Sequence, residues 1–152
     1  MPKKPTKPTV GSAAPSPATP AVRVTLDLPL PPKRCHPNFR PAGRTGRMLL
    51  WREIKLARLL TALKLREQIG GKTGFPWPFA LLETTWYIPR HRDDDGLIAW
   101  FKPLRDGLQD AGIVANDAKF RLAAPRQVTE RDLPRVQVTI TRLDSLEDWE
   151  QY

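Results

Sequence analysis

Apolar and polar residues alternate in several short segments of the chain, which is the pattern of strands with one buried face. Residues 22–28, 79–88 and 135–143 carry this alternation, and a run of prolines ends the first of them. Residues 120–128 are predicted as a further strand. Four strands are therefore expected.

Two segments carry apolar residues at helical spacing. The first covers residues 48–68 and stops at Gly70, a common way for a helix to end. We expect its leucines to enter the core and its charged residues to form a solvated face. The second covers residues 97–108 and ends by Gly112, with Pro103 as a position for a kink. The leucines of the first helix are Leu49, Leu56, Leu59, Leu60 and Leu63.

Strands and helices in this order predict an α+β fold, a small mixed sheet with two main helices on one face. Residues 22–143 form this domain. Residues 1–21 are rich in proline, lysine and alanine and offer almost nothing to bury, so we expect a disordered tail. Residues 144–152 are acidic and are expected to form a short helix or a frayed tail.

The charge balance narrows the choice of partners. The formal net charge is +9, which favours a polyanion such as nucleic acid or an anionic membrane surface. No apolar run is long enough to cross a bilayer, so we expect no membrane-spanning segment. Cys35 is the only cysteine, which excludes an intrachain disulfide and a cysteine zinc cluster and suits a reducing cytoplasm.

A basic stretch, residues 33–47, contains no acidic residue and is expected to be a loop. Cations in such a loop can bind DNA phosphates without reading the bases. A charged loop that faces only solvent is the alternative. The candidate DNA-binding residues are those of this loop and two arginines further on: Lys33, Arg34, Arg40, Arg44, Arg47, Arg90 and Arg92.

Three adjacent carboxylates, Asp93, Asp94 and Asp95, follow the second predicted strand. One aspartate suffices to cap the next helix, so capping does not explain all three. In an extended backbone Asp93 and Asp95 point to one side and Asp94 points away. Such a pair can hold Mg²⁺ or Mn²⁺, and the neighbouring arginines suit a bound phosphodiester. Surface charge is the alternative, and Asp117, in the loop after the second helix, can be an ordinary turn residue.

Five motifs occur in order along residues 24–143. They are Leu28-Pro-Leu-Pro-Pro32 with Asn38, Asp93-Asp-Asp-Gly96, Lys102-Pro-Leu-Arg-Asp-Gly-Leu108, Ala111-Gly-Ile-Val-Ala-Asn-Asp117 and Val136-Gln-Val-Thr-Ile140. Their order and spacing resemble the RusA family of Holliday junction resolvases. The resemblance implies a RusA-like fold and a metal-dependent endonuclease that cuts branched DNA by hydrolysing phosphodiester bonds.

The resemblance also implies roles for individual residues. The catalytic and metal-binding acids fall on Asp93, Asp95 and Asp117, with Mg²⁺, or Mn²⁺, as the cofactor. The catalytic lysine falls on Lys102, which lies about one helical turn further from the acids than in the family motif. Gly96 stands where the family has an asparagine, and the first acid of the pair that ends at Asp117 is replaced by an asparagine as well.

A four-way junction is cut by paired nicks, so the resemblance implies a symmetric homodimer with two sites. The second helix separates Asp95 from Asp117. Either residues 112–116 run back along this helix or the partner subunit completes the site, and we favour the first. The resemblance further implies a protein of the bacterial cytoplasm, encoded by a phage or prophage.

Two other functions remain open at this point. A relative of the family that holds branched DNA without cutting it would explain Gly96 and the displaced Lys102. A basic module that binds RNA or duplex DNA through charge alone would show no preference for junctions and steep salt sensitivity. The second leaves the acidic triplet unexplained.

Overall fold

The structure, a computed structural model, describes residues 22–70, 74–145 and 147–148. It has an α+β fold with one five-stranded mixed sheet and two main helices, which confirms the fold class that the sequence predicts. The tail expected to be disordered, residues 1–21, lies outside the described residues, as does most of the acidic end, residues 144–152.

The sheet consists of β1 (Arg23–Leu28), β2 (Phe79–Ile88), β3 (Phe120–Leu122), β4 (Arg126–Thr129) and β5 (Arg135–Leu143). The strands follow the order β1-β5-β2-β3, and β4 also pairs with β2. β5 is antiparallel to β1 and β2, whereas β3 and β4 are parallel to β2. The three long strands agree with the sequence prediction to within one residue.

The predicted strand at residues 120–128 is wrong as a single element, because the structure divides it into β3 and β4. The break contains Pro125, which has no N–H to donate to a neighbouring strand. Both pieces pair with β2, Phe120 opposite Ala80 and Arg126 opposite Thr85. β4 therefore lies beside the C-terminal end of β2, the end that the acidic triplet follows.

One face of the sheet is apolar and carries the core, whereas the other is mostly polar, with Leu81 and Thr141 buried on it. The buried face of the central strand β5 consists of Val136, Val138 and Ile140. On the polar face, the hydroxyl groups of Thr25 and Thr139 lie 3.3 Å apart across β1 and β5. This one-sided burial is the reason for the alternation in the sequence.

The second helix, α2 (Asp94–Asp110), packs on the apolar face. Trp100 stacks on Trp86 of β2 with ring centroids 5.6 Å apart, and Phe101 meets the same ring edge-on. The helix continues without interruption through Pro103, which is buried. α2 thus runs back along β2, from the C-terminal end of that strand towards its start.

The first helix, α1 (Gly43–Ile69), has 27 residues and begins five residues before the predicted start at residue 48. The sequence around Gly43 and Gly46 is typical of a loop because glycine costs about 1 kcal/mol in a helix. Extending an existing helix costs far less than nucleating one, so a long helix can include such positions. Consequently Arg44 and Arg47 belong to α1 and not to a loop.

The prediction that the leucines of α1 form its buried face is wrong. Leu56 is 55% exposed, Leu60 47% and Leu63 49%. The buried residues of α1 lie on the opposite side of the helix, since they differ from Leu56 by roughly half a turn. Helical periodicity shows that a face is apolar but not what covers it. The buried residues of the helix are Thr61, Ala62, Leu65 and Ile69.

The C-terminal half of α1 is held to the end of α2 by polar contacts. Nε and Nη2 of Arg58 donate hydrogen bonds of 2.9 and 2.8 Å to the two carboxylate oxygens of Asp110. The hydrogen bond from Arg58 holds the pKa of Asp110 below its usual range. Arg66 donates to the backbone carbonyl of Asp110 at 2.8 Å. Both helices therefore end on the same side of the molecule.

The two helices come closest at Gly107 of α2. A Cβ at this position would lie 2.6 Å from the carbonyl oxygen of Arg58 and 2.7 Å from Cβ of Thr61. We expect Gly107→Ala to lower the free energy of unfolding by about 2 kcal/mol. The added methyl group forces the two packed helices apart, and this loss exceeds the gain from the higher helix propensity of alanine. Urea denaturation measures the effect.

Gly96 provides the matched control, because it lies in the same helix and a Cβ there would meet nothing within 4 Å. Gly96→Ala is expected to leave the free energy of unfolding unchanged or to raise it by up to about 1 kcal/mol. Equal stability of the two variants would contradict the close contact at Gly107.

Among the helices of the described residues, none combines the length and the apolar character needed to cross a bilayer.

Candidate functional site

The acidic triplet lies where β2 ends and α2 begins. Asp93 is the N-cap residue of α2, with φ −64° and ψ 139°, and its side chain makes no capping hydrogen bond. Asp94 and Asp95 belong to the first helical turn, so the expectation of an extended backbone through all three is wrong. Carboxylates in the first turn stabilise the helix dipole by about 0.3–1 kcal/mol each. That effect accounts for Asp94 and Asp95 but leaves Asp93 without a structural partner among the described residues.

Two of the three carboxylates share one cleft. Asp93 and Asp95 line an open cleft of about 570 Å³ together with His36, Asn38 and Arg92. Asp94 does not line it; its Oδ1 accepts a 3.3 Å hydrogen bond from Nε2 of a glutamine on β4. The structure thus places Asp93 and Asp95 on one side and Asp94 on the other, as expected. The cause is the start of α2 and not an extended backbone.

Gln127 of β4 holds the segment that carries the acids. Its side-chain oxygen accepts from the backbone N–H of Arg92 at 2.9 Å, and its Nε2 donates to the carbonyl of Arg92 at 2.7 Å. The same Nε2 contacts Asp94. Sequence reasoning missed this residue, because it lies 35 positions from Arg92 and reaches it only through the pairing of β4 with β2.

The opposite wall of the cleft comes from the turn after the short 3-10 helix Lys33–Cys35. His36 meets the ring of Trp100 edge-on, with centroids 5.6 Å apart, and its Nδ1 accepts a 3.2 Å hydrogen bond from the backbone of Asn38. Partial burial and the charge of Arg92 both lower the pKa of His36. The ring is therefore predominantly neutral near pH 7, with its proton on Nε2.

A second cleft of about 680 Å³ adjoins the first and shares His36 and Arg92 with it. Its lining is mostly apolar, with Ile88 and Trp100 among several prolines, and Lys33 and Arg90 add positive charge. The guanidinium of Arg92 lies 5.2 Å from the centroid of the Trp100 ring. Such a cation–π contact fixes the arginine between the two clefts.

The remaining predicted DNA-binding residues lie in the segment that contains this turn and in the first turns of α1. Nη1 of Arg34 forms a 2.8 Å ion pair with Glu53 of α1, and Arg40 donates to the carbonyl of Pro37. Arg44 and Arg47 are exposed in the first turns of α1, which contain no acidic residue. Cations at a helix N-terminus oppose the helix dipole, so helix stability does not account for them.

Lys102 does not line the acidic cleft. Its Nζ lies 3.3 Å from Oδ2 of Asp106, and it borders a different pocket, between α1 and α2. It follows Asp95 by seven residues, so it lies on the same face of α2 about 10 Å further along the axis. Ala99, which lies between them on α2, and His36 line both pockets.

Asp117 lies away from the other acids. It starts the short 3-10 helix Asp117–Lys119, directly before β3, and β3 pairs with the start of β2. The acidic triplet follows the other end of β2, roughly 25 Å away along the strand. Residues 112–116 do not run back along α2, so the favoured arrangement of the sequence analysis is wrong. Within the part of the chain that the structure describes, no three acidic, histidine or cysteine residues form a group that could hold a metal ion.

The donor set of the acidic cleft nevertheless fits one class of ion. Mg²⁺ usually keeps several waters and takes only one or two carboxylates from a protein, and Mn²⁺ accepts similar ligands. Asp93 and Asp95 supply these two carboxylates, and Arg92 beside them suits a phosphate oxygen. The comparison with models of known families finds no family that matches this sequence, and the comparison with curated proteins finds no match either.

Proposed function

We propose that this protein is an endonuclease that uses a divalent cation to hydrolyse phosphodiester bonds in branched DNA, with the four-way junction as its substrate. The observation that carries the proposal is the pair of adjoining clefts, one with Asp93 and Asp95 and one with Arg90 and Lys33, joined at Arg92. The resemblance to the RusA family supports the same activity.

In this proposal Asp93 and Asp95 hold Mg²⁺ or Mn²⁺. Such a cation would supply Lewis-acid chemistry to the scissile phosphate and to the water that attacks it. Arg92 binds a phosphoryl oxygen and offsets the negative charge that develops on it, because its guanidinium is fixed by Trp100 next to the two carboxylates. Lys102 is paired with Asp106 and lies too far along α2 for this role in a single subunit. It contacts the DNA backbone instead.

The apolar cleft favours branched DNA over regular duplex. A base in a continuous duplex is stacked and paired, and extracting it costs a few kcal/mol, whereas a base at a branch point is already partly unstacked. Such a base would enter the cleft beside Trp100 and Ile88 while its phosphate contacts Arg90 or Arg92. Lys33, Arg40, Arg44 and Arg47 would then bind phosphates on either side, and Arg34 would position the 3-10 helix through Glu53.

Paired cuts require two sites, so the proposal includes a symmetric homodimer. The distance between Asp117 and the acidic cleft of its own subunit argues against a site within one chain. The proposal therefore takes the other arrangement that the sequence left open, in which the partner's Asp117 completes the metal site. The proposal also places the protein in the cytoplasm of a bacterial cell, as a phage or prophage product, in line with the resemblance.

Incubation with a synthetic four-way junction and a linear duplex of the same sequence tests this function. We expect paired nicks in the junction in the presence of Mg²⁺ or Mn²⁺, no nicks with a chelator, and little cutting of the duplex. Junction binding without cleavage in either cation would leave a branched-DNA-binding protein of the same family. Equal, strongly salt-dependent binding of junction and duplex would leave only a basic nucleic-acid-binding module.

A further inference from the structure

The outer face of α1 carries five of the eleven large hydrophobic residues that are exposed in the described part of the chain. Leu49 is 36% exposed and Leu59 52%, and three further leucines are exposed to a similar degree. They lie on the side of the helix opposite to the buried Leu65. Soluble monomers rarely expose a continuous patch of this kind, and those that do usually bind a partner through it. The face consists of Leu49, Leu56, Leu59, Leu60 and Leu63.

We propose that this leucine face binds the same face of a second copy of the chain, with the two α1 helices antiparallel about a two-fold axis between Leu59 and Leu60. The inference is independent of DNA cleavage. It names the surface through which the chain dimerises, which no motif of the sequence indicated.

In this register the leucine face of one subunit is complementary to the leucine face of the other. In an antiparallel pair about that axis, residues whose numbers sum to 119 lie opposite one another. Leu56 then meets the partner's Leu63, and Leu59 meets the partner's Leu60. The next position outward places Arg52 opposite the partner's Glu67, and both residues are exposed in the single subunit. Apolar residues therefore meet at the centre and opposite charges at the rim, as in protein interfaces.

A groove beside the helix gives the partner's leucines a place to enter. It has a volume of about 500 Å³ and runs between Leu56 and Leu60 of α1 and the proline-containing turn after β1, where Leu28 and Leu30 line it. Facing side chains of two packed helices interlock in such grooves at interaxial distances of about 8–10 Å. A second leucine-bearing helix fits this groove better than a polar ligand does.

The composition of the N-terminal tail argues against the tail as the occupant. Residues 1–21 contain Met1 and Val10 as their only large apolar side chains. Two such side chains cannot cover five leucines. A second copy offers a surface of equal size and identical chemistry, so it is the occupant that the face fits.

The mass of the full chain in solution tests the interface. Light scattering after size exclusion should give twice the subunit mass of 17.3 kDa at micromolar concentrations. Leu60→Glu, which places two carboxylates beside the axis, should weaken dimerisation at least 100-fold and yield a monomer with an unchanged circular dichroism spectrum. Leu133→Glu is the matched control, since Leu133 is 63% exposed in a loop away from α1.

A charge exchange tests the register independently of any leucine. Arg52→Glu should weaken the dimer, and adding Glu67→Arg to the same chain should restore it, because each rim pair then regains opposite charges. A native chain that stays monomeric at about 100 µM, or a dimer that Leu60→Glu leaves intact, would overturn the interface. A dimer that Arg52→Glu weakens and Glu67→Arg does not restore would overturn the register. If the Leu60→Glu chain unfolds, the charge exchange, which replaces no leucine, decides the interface.

Discussion

Asp95→Asn is expected to abolish cleavage of a four-way junction while the affinity for the junction persists. The substitution keeps the shape of the side chain but removes one of the two carboxylates of the acidic cleft. Neutral amides are weak ligands for Mg²⁺, so the variant should no longer hold the cation, and the rate should fall on the order of 10²–10³-fold or more. Binding, measured by gel shift with a chelator present, should stay equal or become tighter, because a negative charge leaves the DNA surface.

Asp94→Asn is the matched control for this prediction. It makes the same chemical change one residue away, but Asp94 faces Gln127 and not the cleft. We expect it to retain cleavage within a few-fold of the native rate. Equal losses for Asp94→Asn and Asp95→Asn would mean that the triplet acts through its total charge, and the assignment of the metal to the cleft would be wrong.

The sheet could be predicted from the sequence because most of its buried residues lie on one side. Each long strand alternates apolar and polar residues, and the alternation in β5 translates directly into the buried Val136, Val138 and Ile140. The short edge strands carry too few residues for such a pattern. For that reason β3 and β4 were predicted as one strand, and Pro125 was the available signal for the division.

The leucines of α1 show the limit of periodicity. The helix is apolar on two opposite sides, one with Leu65 and Ile69 and the other with Leu56 and Leu63. Most leucines of the helix lie on the outer side, so a prediction from residue type chooses that side as the core. A partner would bury the outer face in the same way as α2 buries the inner one, and a single sequence contains no signal that separates the two cases.

The grouping of Asp93 with Asp95 could be predicted from the sequence, whereas the position of Asp117 could not. Asp93 and Asp95 are close in sequence, so any local structure that turns both to one side brings them together. The position of Asp117 depends on topology. A helix that connects two parallel strands returns the chain to the opposite end of the sheet, and β3 is parallel to β2. Parallel pairing therefore separates Asp117 from the acidic triplet, whatever the loop between them does.

The antiparallel pairing of α1 offers a way to bring these acids together. The N-terminal end of α1 follows the turn that lines the acidic cleft. Its C-terminal end is bound through Arg66 to Asp110, and Asp110 precedes Asp117 by seven residues. In an antiparallel pair, each N-terminal end lies beside the C-terminal end of the other helix. The cleft of one subunit then lies towards the same end of the helix pair as the partner's Asp117.

The second large effect is the recovery of cleavage that we expect in dimers that combine two different inactive variants. Asp95→Asn and Asp117→Asn should each be inactive alone, and dimers that contain one copy of each should cut again. In such a dimer one site carries both substitutions, and the other combines intact Asp93 and Asp95 with the partner's intact Asp117. About half of the dimers are mixed after exchange at equal amounts, each with one intact site, so single nicks should appear at about one quarter of the native number of sites.

A mixture of Asp95→Asn with Asp93→Asn is the control, because both substitutions fall in the same half of the site and every mixed dimer keeps two damaged sites. Nicks are counted on a denaturing gel after the two chains have been refolded together. Restored nicking only in the mixture with Asp117→Asn would support a site shared between subunits. If both mixtures stay inactive, Asp117 acts within its own subunit. If Asp117→Asn alone cuts at the native rate, Asp117 takes no part in the metal site, and Asp93 and Asp95 hold the cation without it.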